Sequence, residues 1–243
     1  MPDLRSGDHL PNRRAGGLAL DKGWLPRQRR GVTPQMVGRY PDYDVLESAT
    51  DWDPATRRAV LARLRVGSEL HFFQAAEGPV VRAFLDLLLD QDREPRVPAV
   101  ELLDQRLAAG RLDGFQYQDM PDDRDTWRLV LQGIDQAAQE RAGVGFPKAP
   151  TAVQAEIVGA LAGGRLRAPA LSGINVRRAY SVCLRMAAAA FYSHPWAWNE
   201  IGFGGPAYPR GFMRIGPTSV REPREKRGAT SEDPAAATSG EHP

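Results

Sequence analysis

The chain has 243 residues, 42 % of them hydrophobic, which is enough for one large domain or two small ones with a real core. Its 32 Lys and Arg against 30 Asp and Glu leave a formal charge of +2 with no long basic block in the middle of the chain, so a nucleic-acid role has little electrostatic support. The single Cys183 excludes an internal disulfide or a thiolate metal cluster, and the longest apolar runs, LVLQGI and MAAAAFY, fall far short of the roughly 18 residues of a membrane span.

Residues 1–37 are rich in Arg, Pro, Gly and Asp and follow neither the helical nor the strand period, the composition of an extended or disordered arm. Leu18, Leu20, Trp24 and Leu25 are the anchors such an arm would use if it wraps a partner. The pairs Arg13/Arg14 and Arg29/Arg30 lead into no apolar export segment, GLALDKGWLP being too short and too polar. The expected compartment is therefore the cytoplasm, or the periplasm or cell envelope if a partner carries the signal.

Residues 38–217 read as a mostly helical domain, because no long alternating run suggests a strand. Tyr40, Tyr43, Val45 and Leu46 precede a first helix whose start is Asp53-Pro54, the Asp accepting orphan amides and the Pro fitting the first turn. Val60, Leu61, Leu64 and Val66 give it an apolar face, and Arg57, Arg58, Arg63 and Arg65 a polar one. From Leu70, HFFQAAEGPVVRAFLDLLLDQ reads as a short helix or hairpin broken at Gly78-Pro79 and then a helix with Val80, Val81, Phe84, Leu85, Leu87 and Leu88 inward. A further helix runs from Pro98 to near Gly110. The next has Asp122, Asp123 and Asp125 at its positive end, as caps rather than metal ligands, followed by Trp127, Val130, Leu131 and Ile134 at helical spacing.

TAVQAEIVGALAGG predicts a helix closed by Gly163 and Gly164, and VRRAYSVCLRMAAAAFYSHP the strongest helix of the chain. Val176, Tyr180, Cys183 and either Leu184 or Ala187 form its inward face, which makes Cys183 a buried inert thiol. This helix leads into YSHPWAWNEIGFGGPAYPRGFMR, residues 192–214, whose Pro195, Pro206, Pro209 and clustered glycines predict a shaped loop rather than a regular element. Residues 218–243 keep only small Ala among apolar types and read as a disordered tail. The fold class is all-α: an irregular multi-helix domain with long loops and extended or disordered termini.

Familiar catalytic signatures are missing: there is no Gly-rich phosphate loop with Lys, no HExxH and no GxSxG, and IGFGGP follows no strand. Of four His, His71 beside Phe72 and Phe73 reads as a hydrogen-bonded structural residue. His194 is the one catalytic candidate, with Asn199, Glu200 and Tyr208 close in sequence, although a histidine ending a helix can equally bond its last carbonyls. A stand-alone helical enzyme using His194 as acid or base is the alternative to a binding role for the aromatic segment.

The stretches GRYPDYDVLESATDWDPATRRAVLARL and AFYSHPWAWNEIGFGGPAYPRGF resemble the gluconate 2-dehydrogenase subunit 3 family, the small subunits that accompany flavin-dependent dehydrogenases of the glucose–methanol–choline type. The resemblance extends over the residues between them. It falls on Asp44, Trp52, Asp53 and Arg57, and on Tyr192, His194, Pro195, Trp196, Trp198, Asn199, Gly202, Gly204, Gly205, Pro206, Tyr208, Pro209 and Arg210. It implies a helical subunit without flavin or haem of its own, complexed with a large flavoprotein that holds FAD and, in some members, with a cytochrome c subunit. It also implies a stabilising role or one in maturation of the large subunit. Tyr192, His194, Trp196, Trp198, Asn199, Phe203, Tyr208, Arg210 and Trp24 are then the expected partner contacts.

Overall fold

A computed structural model describes residues 44–206 apart from Asp51, Asp92, Arg93, Asp113, Phe115 and Gly202. All regular structure among the described residues is helical: α1 (Pro54–Ala62), α2 (Glu77–Leu88), α3 (Ala99–Ala108), α4 (Asp123–Ala142), α5 (Thr151–Ala162), α6 (Val176–Phe191) and α7 (Pro195–Glu200), with short 3-10 turns between. No helix among them is long and apolar enough to cross a membrane. The described part of the expected 38–217 domain falls into two compact units. The larger holds residues 66–91 and 98–191, and the smaller holds residues 44–65, 94–97 and 192–206.

In the larger unit α3, α4 and α5 all pack against α6, and α2 packs against α3 and α4. The centre is Trp127 of α4, fully buried, meeting Phe73 and Phe84 edge to face at ring separations of 6.0 and 6.2 Å. Its indole N–H points at Met186 Sδ of α6, 3.4 Å away, a soft acceptor for a group that burial would otherwise leave unpaired. Helix α4 starts as its acids imply: Asp122 is the N-cap, accepting from the Asp125 N–H at 2.9 Å, and Gly143 in the left-handed region ends it.

Two readings of the sequence change here. Gly78 and Pro79 do not break a helix; they sit in the first turn of α2, where proline's missing donor costs nothing, and residues 71–76 ahead of them are bends and turns. The structural role expected of the His71 side chain belongs to its main chain instead. Asp104 of α3, fully buried, accepts the N–H groups of His71 at 2.7 Å and of Phe72 and Phe73 at 2.9 Å each, while the His71 ring is exposed. The guanidinium groups of Arg124 and Arg128 lie over the Phe72 ring, and Arg128 donates to its carbonyl. One carboxylate and two arginines thus fix the approach to α2.

On α6, Val176, Cys183 and Ala187 face inward, Tyr180 is half-buried and Leu184 is exposed. Ala187, not Leu184, completes the stripe. Burial, with the Asp123 carboxylate adding to it, pushes the Cys183 thiol well above its usual range, which leaves it un-ionised and unreactive. Helix α4 also meets the turn Pro169–Leu171 so closely that a Cβ on Gly133 would stand 2.6 Å from Leu171 Cγ. Gly133→Ala is therefore expected to cost about 1–3 kcal/mol, read as a lowered thermal midpoint, because Leu171 is itself buried and has little room to yield.

Candidate functional site

The smaller unit is built from the 3-10 turn Val45–Thr50, helix α1 and the segment from Tyr192 to Pro206. Val45, Leu46, Ala49, Trp52, Val60 and Trp198 form its core, with Leu61 and Leu64 packed against them. Asp53 caps α1, its Oδ1 accepting from Ala55 at 2.9 Å and Thr56 at 3.2 Å, as Asp-Pro predicts. Burial pushes this carboxyl upward, but the bonds from Thr56 and from the helix amides outweigh it and leave it below its usual value.

The segment after α6 is more regular than its prolines and glycines suggest. Pro195 opens α7, a position where its fixed φ suits a helix and its missing N–H is no loss. His194 is the N-cap: its Nδ1 accepts from the Trp196 N–H at 3.2 Å, so it starts the next helix and does not close the previous one. The imidazole is 1 % exposed. Burial, joined by the Arg63 charge and only partly offset by a hydrogen bond to the Arg63 backbone, lowers its pKa from 6.5 to about 4. At neutral pH it is an uncharged ring, accepting at Nδ1 and held by the Arg63 backbone.

Long-range bonds fix the segment against the rest of the unit. The Val45 N–H donates to Asn199 Oδ1 at 2.8 Å, 154 residues away in sequence. Arg63 donates to the Ser193 carbonyl at 2.8 Å and places its guanidinium 5.8 Å from the Trp198 ring centroid. The Trp198 indole N–H closes back onto the Tyr192 carbonyl. At the far end Gly205 has φ +76°, and a Cβ there would lie 2.9 Å from Val45 Cγ2 and 3.1 Å from Trp52 Cζ2. Only glycine fits that approach.

Residues expected to touch a partner therefore separate into two groups. His194, Trp198 and Asn199 are buried and build the frame. Tyr192 and Phe203 are exposed, Trp196 is half-buried with its ring 4.9 Å from that of His194, and Ile201, not singled out in the sequence, is 51 % exposed. Phe203 stands edge-on to Trp198 at 5.5 Å, so an outward ring is backed by an inward one. Trp24, Tyr208 and Arg210 lie outside the described residues. Arg63 was visible in the sequence only as one of four basic residues on a polar face; its reach to Ser193, 130 residues on, leaves no local signal. Among the described residues no group of three or more His, Cys, Asp or Glu is placed to hold a metal ion.

Residues 75–205, just over half of the chain, match the family model described as gluconate 2-dehydrogenase subunit 3. The match includes α2 to α7 but not the upstream stretch around Trp52 to Arg57. No curated protein and no solved structure matches the chain.

Proposed function

This chain belongs to the gluconate 2-dehydrogenase subunit 3 family, and from that premise we propose that it is the non-catalytic small subunit of a flavin-dependent sugar or alcohol dehydrogenase. It binds and stabilises a large flavoprotein of the glucose–methanol–choline type, whose FAD oxidises a hydroxyl to a carbonyl. The observation that carries this reading is the division of labour in the Tyr192–Pro206 segment. Its polar, chemistry-bearing residues His194 and Asn199 are buried as framework, while Tyr192, Ile201 and Phe203 face outward from a pre-organised backbone. Large apolar side chains held rigid at a surface suit an interface, because little ordering entropy remains to be lost on docking. An acid–base role for His194 has weaker support, since Nδ1 is engaged in the α7 cap and the ring is neutral down to about pH 4.

The test is co-expression of the full chain with a tagged flavoprotein of this type. The expected result is a complex of fixed stoichiometry that carries flavin absorbance and turns over an alcohol or sugar, with neither property in the small chain alone. The exposed pair Ile201→Asp/Phe203→Asp should weaken association by about thirtyfold or more while leaving the helical content of the chain unchanged. Turnover by the isolated chain, abolished in His194→Ala, would replace this proposal with the stand-alone enzyme.

A further inference from the structure

Both ring nitrogens of His194 are engaged. Nδ1 accepts from the Trp196 N–H at 3.2 Å, and the one N–H of the neutral ring, on Nε2, is left for the bond to the Arg63 main chain. A protonated imidazole carries a hydrogen on each nitrogen and accepts nothing, so a proton on Nδ1 sets two donors against each other where the cap lies. The ring is 1 % exposed, and water does not take over the bond. The charge acting on the ring is also of the wrong sign. Arg63, at the end of α1, donates to the Ser193 carbonyl beside the ring and opposes a second positive charge there. The other charges of the unit are engaged or turned away. Arg57 bonds the Trp52 carbonyl, and Asp53 Oδ1 is taken by the amides of Ala55 and Thr56. Asp44 accepts the Leu46 N–H, Glu47 on the turn Val45–Thr50 is exposed, and Glu94 and Arg96 bond each other. Glu200, the one acid of α7, stands at its far end.

Helix α7 depends on this cap. With six residues it is too short to persist alone, yet it carries two anchors of the smaller unit. Asn199 takes the Val45 N–H at 2.8 Å, and Trp198 lies in the core beside Val45 and Trp52. Phe203 stands edge-on to Trp198, so its outward position goes when α7 goes. In the larger unit the one described histidine is His71, whose ring is exposed, and a proton on it breaks no buried bond. We infer that the His194 cap is an acid-released latch: a proton on Nδ1 undoes α7 and frees Tyr192–Pro206 from Val45 and Arg63, while the larger unit keeps its fold. The device is internal to the chain, goes beyond the accessory-subunit reading and stands without it. Its sign follows from burial. The neutral ring is favoured in the closed form, so the latch holds above pH 6.5 and weakens as the pH falls towards 4. Between pH 7 and pH 4, opening becomes about a hundredfold more frequent.

The test is native-state hydrogen exchange of the full-length chain at a series of pH values, each rate divided by the intrinsic rate at that pH. Protection of the Val45, Trp198 and Phe203 amides is expected to fall about a hundredfold from pH 7 to pH 4, while that of residues 130–134 in α4 changes less than about threefold. In His194→Asn, which keeps a capping oxygen but does not titrate, the fall should disappear. The carbon resonance between the two ring nitrogens of His194 gives a second readout that needs no variant: it should titrate over the same range in which protection is lost. Protection that survives to pH 4, or falls equally in α4, overturns the latch. So does an equal fall in His194→Asn, which would assign the effect to carboxylates, or a ring still neutral where the amides are already open.

Discussion

Asp104→Ala is expected to be among the most damaging single changes in the chain, lowering the stability of the larger unit by about 3–5 kcal/mol in urea denaturation followed by far-UV circular dichroism. The magnitude follows from geometry: one fully buried carboxylate accepts three consecutive main-chain N–H groups, and alanine strands all three at once. Phe72 and Phe73, which those amides hold, bury their rings in the core, Phe73 against Trp127, so the loss spreads from the turn to the centre of the unit. Asp104→Asn keeps an acceptor oxygen for two of the amides and should lose roughly half as much. Against a total of about 5–15 kcal/mol for a typical domain, the alanine variant should be close to unfolding at room temperature. A loss below about 1 kcal/mol would mean that water replaces the carboxylate, and the turn would then not depend on Asp104.

The second large effect is a dependence on pH that belongs to one residue. His194 titrates at 6.5 when exposed and at about 4 in the folded chain, so folding favours its neutral form. Its contribution is fully present above pH 6.5, is lost progressively as the pH falls towards 4 and changes no further below that. The full window amounts to about 3 kcal/mol. His194→Asn isolates this term, since asparagine also caps a helix but does not titrate. The difference in stability between wild type and His194→Asn should shrink or reverse on acidification between about pH 6.5 and 4, while carboxylates common to both cancel. A difference that stays constant across the window would place the imidazole in contact with water.

Much of the helical pattern was legible because local signals coincided with tertiary need. Asp53-Pro54, the acids from Asp122 and the glycines after Ala162 mark the start of α1, the start of α4 and the end of α5 where the structure does. Pro79 and Pro195 read as breaks in the sequence, yet each stands in a first turn, where the missing N–H has no partner within the helix to lose. In the site, the sequence could point to an aromatic segment but not to which of its side chains turn inward. That choice is made by Val45 and Arg63, whose bonds to Asn199 and Ser193 span 154 and 130 residues. No window of local periodicity contains both partners. Buried Asp104 carries no local signal for a related reason, since its role lies in the amides of residues 71–73 rather than in its own helix.

The bond from Val45 to Asn199 also sets a timetable. At about 5–20 residues per second of synthesis, Val45 waits roughly 8–30 s on the ribosome before its partner is made. All of α2 to α6 is translated in that interval and can condense through contacts of shorter range. The smaller unit is thus the last part of the described chain to close, and any surface it offers matures only after Asn199 has left the exit tunnel.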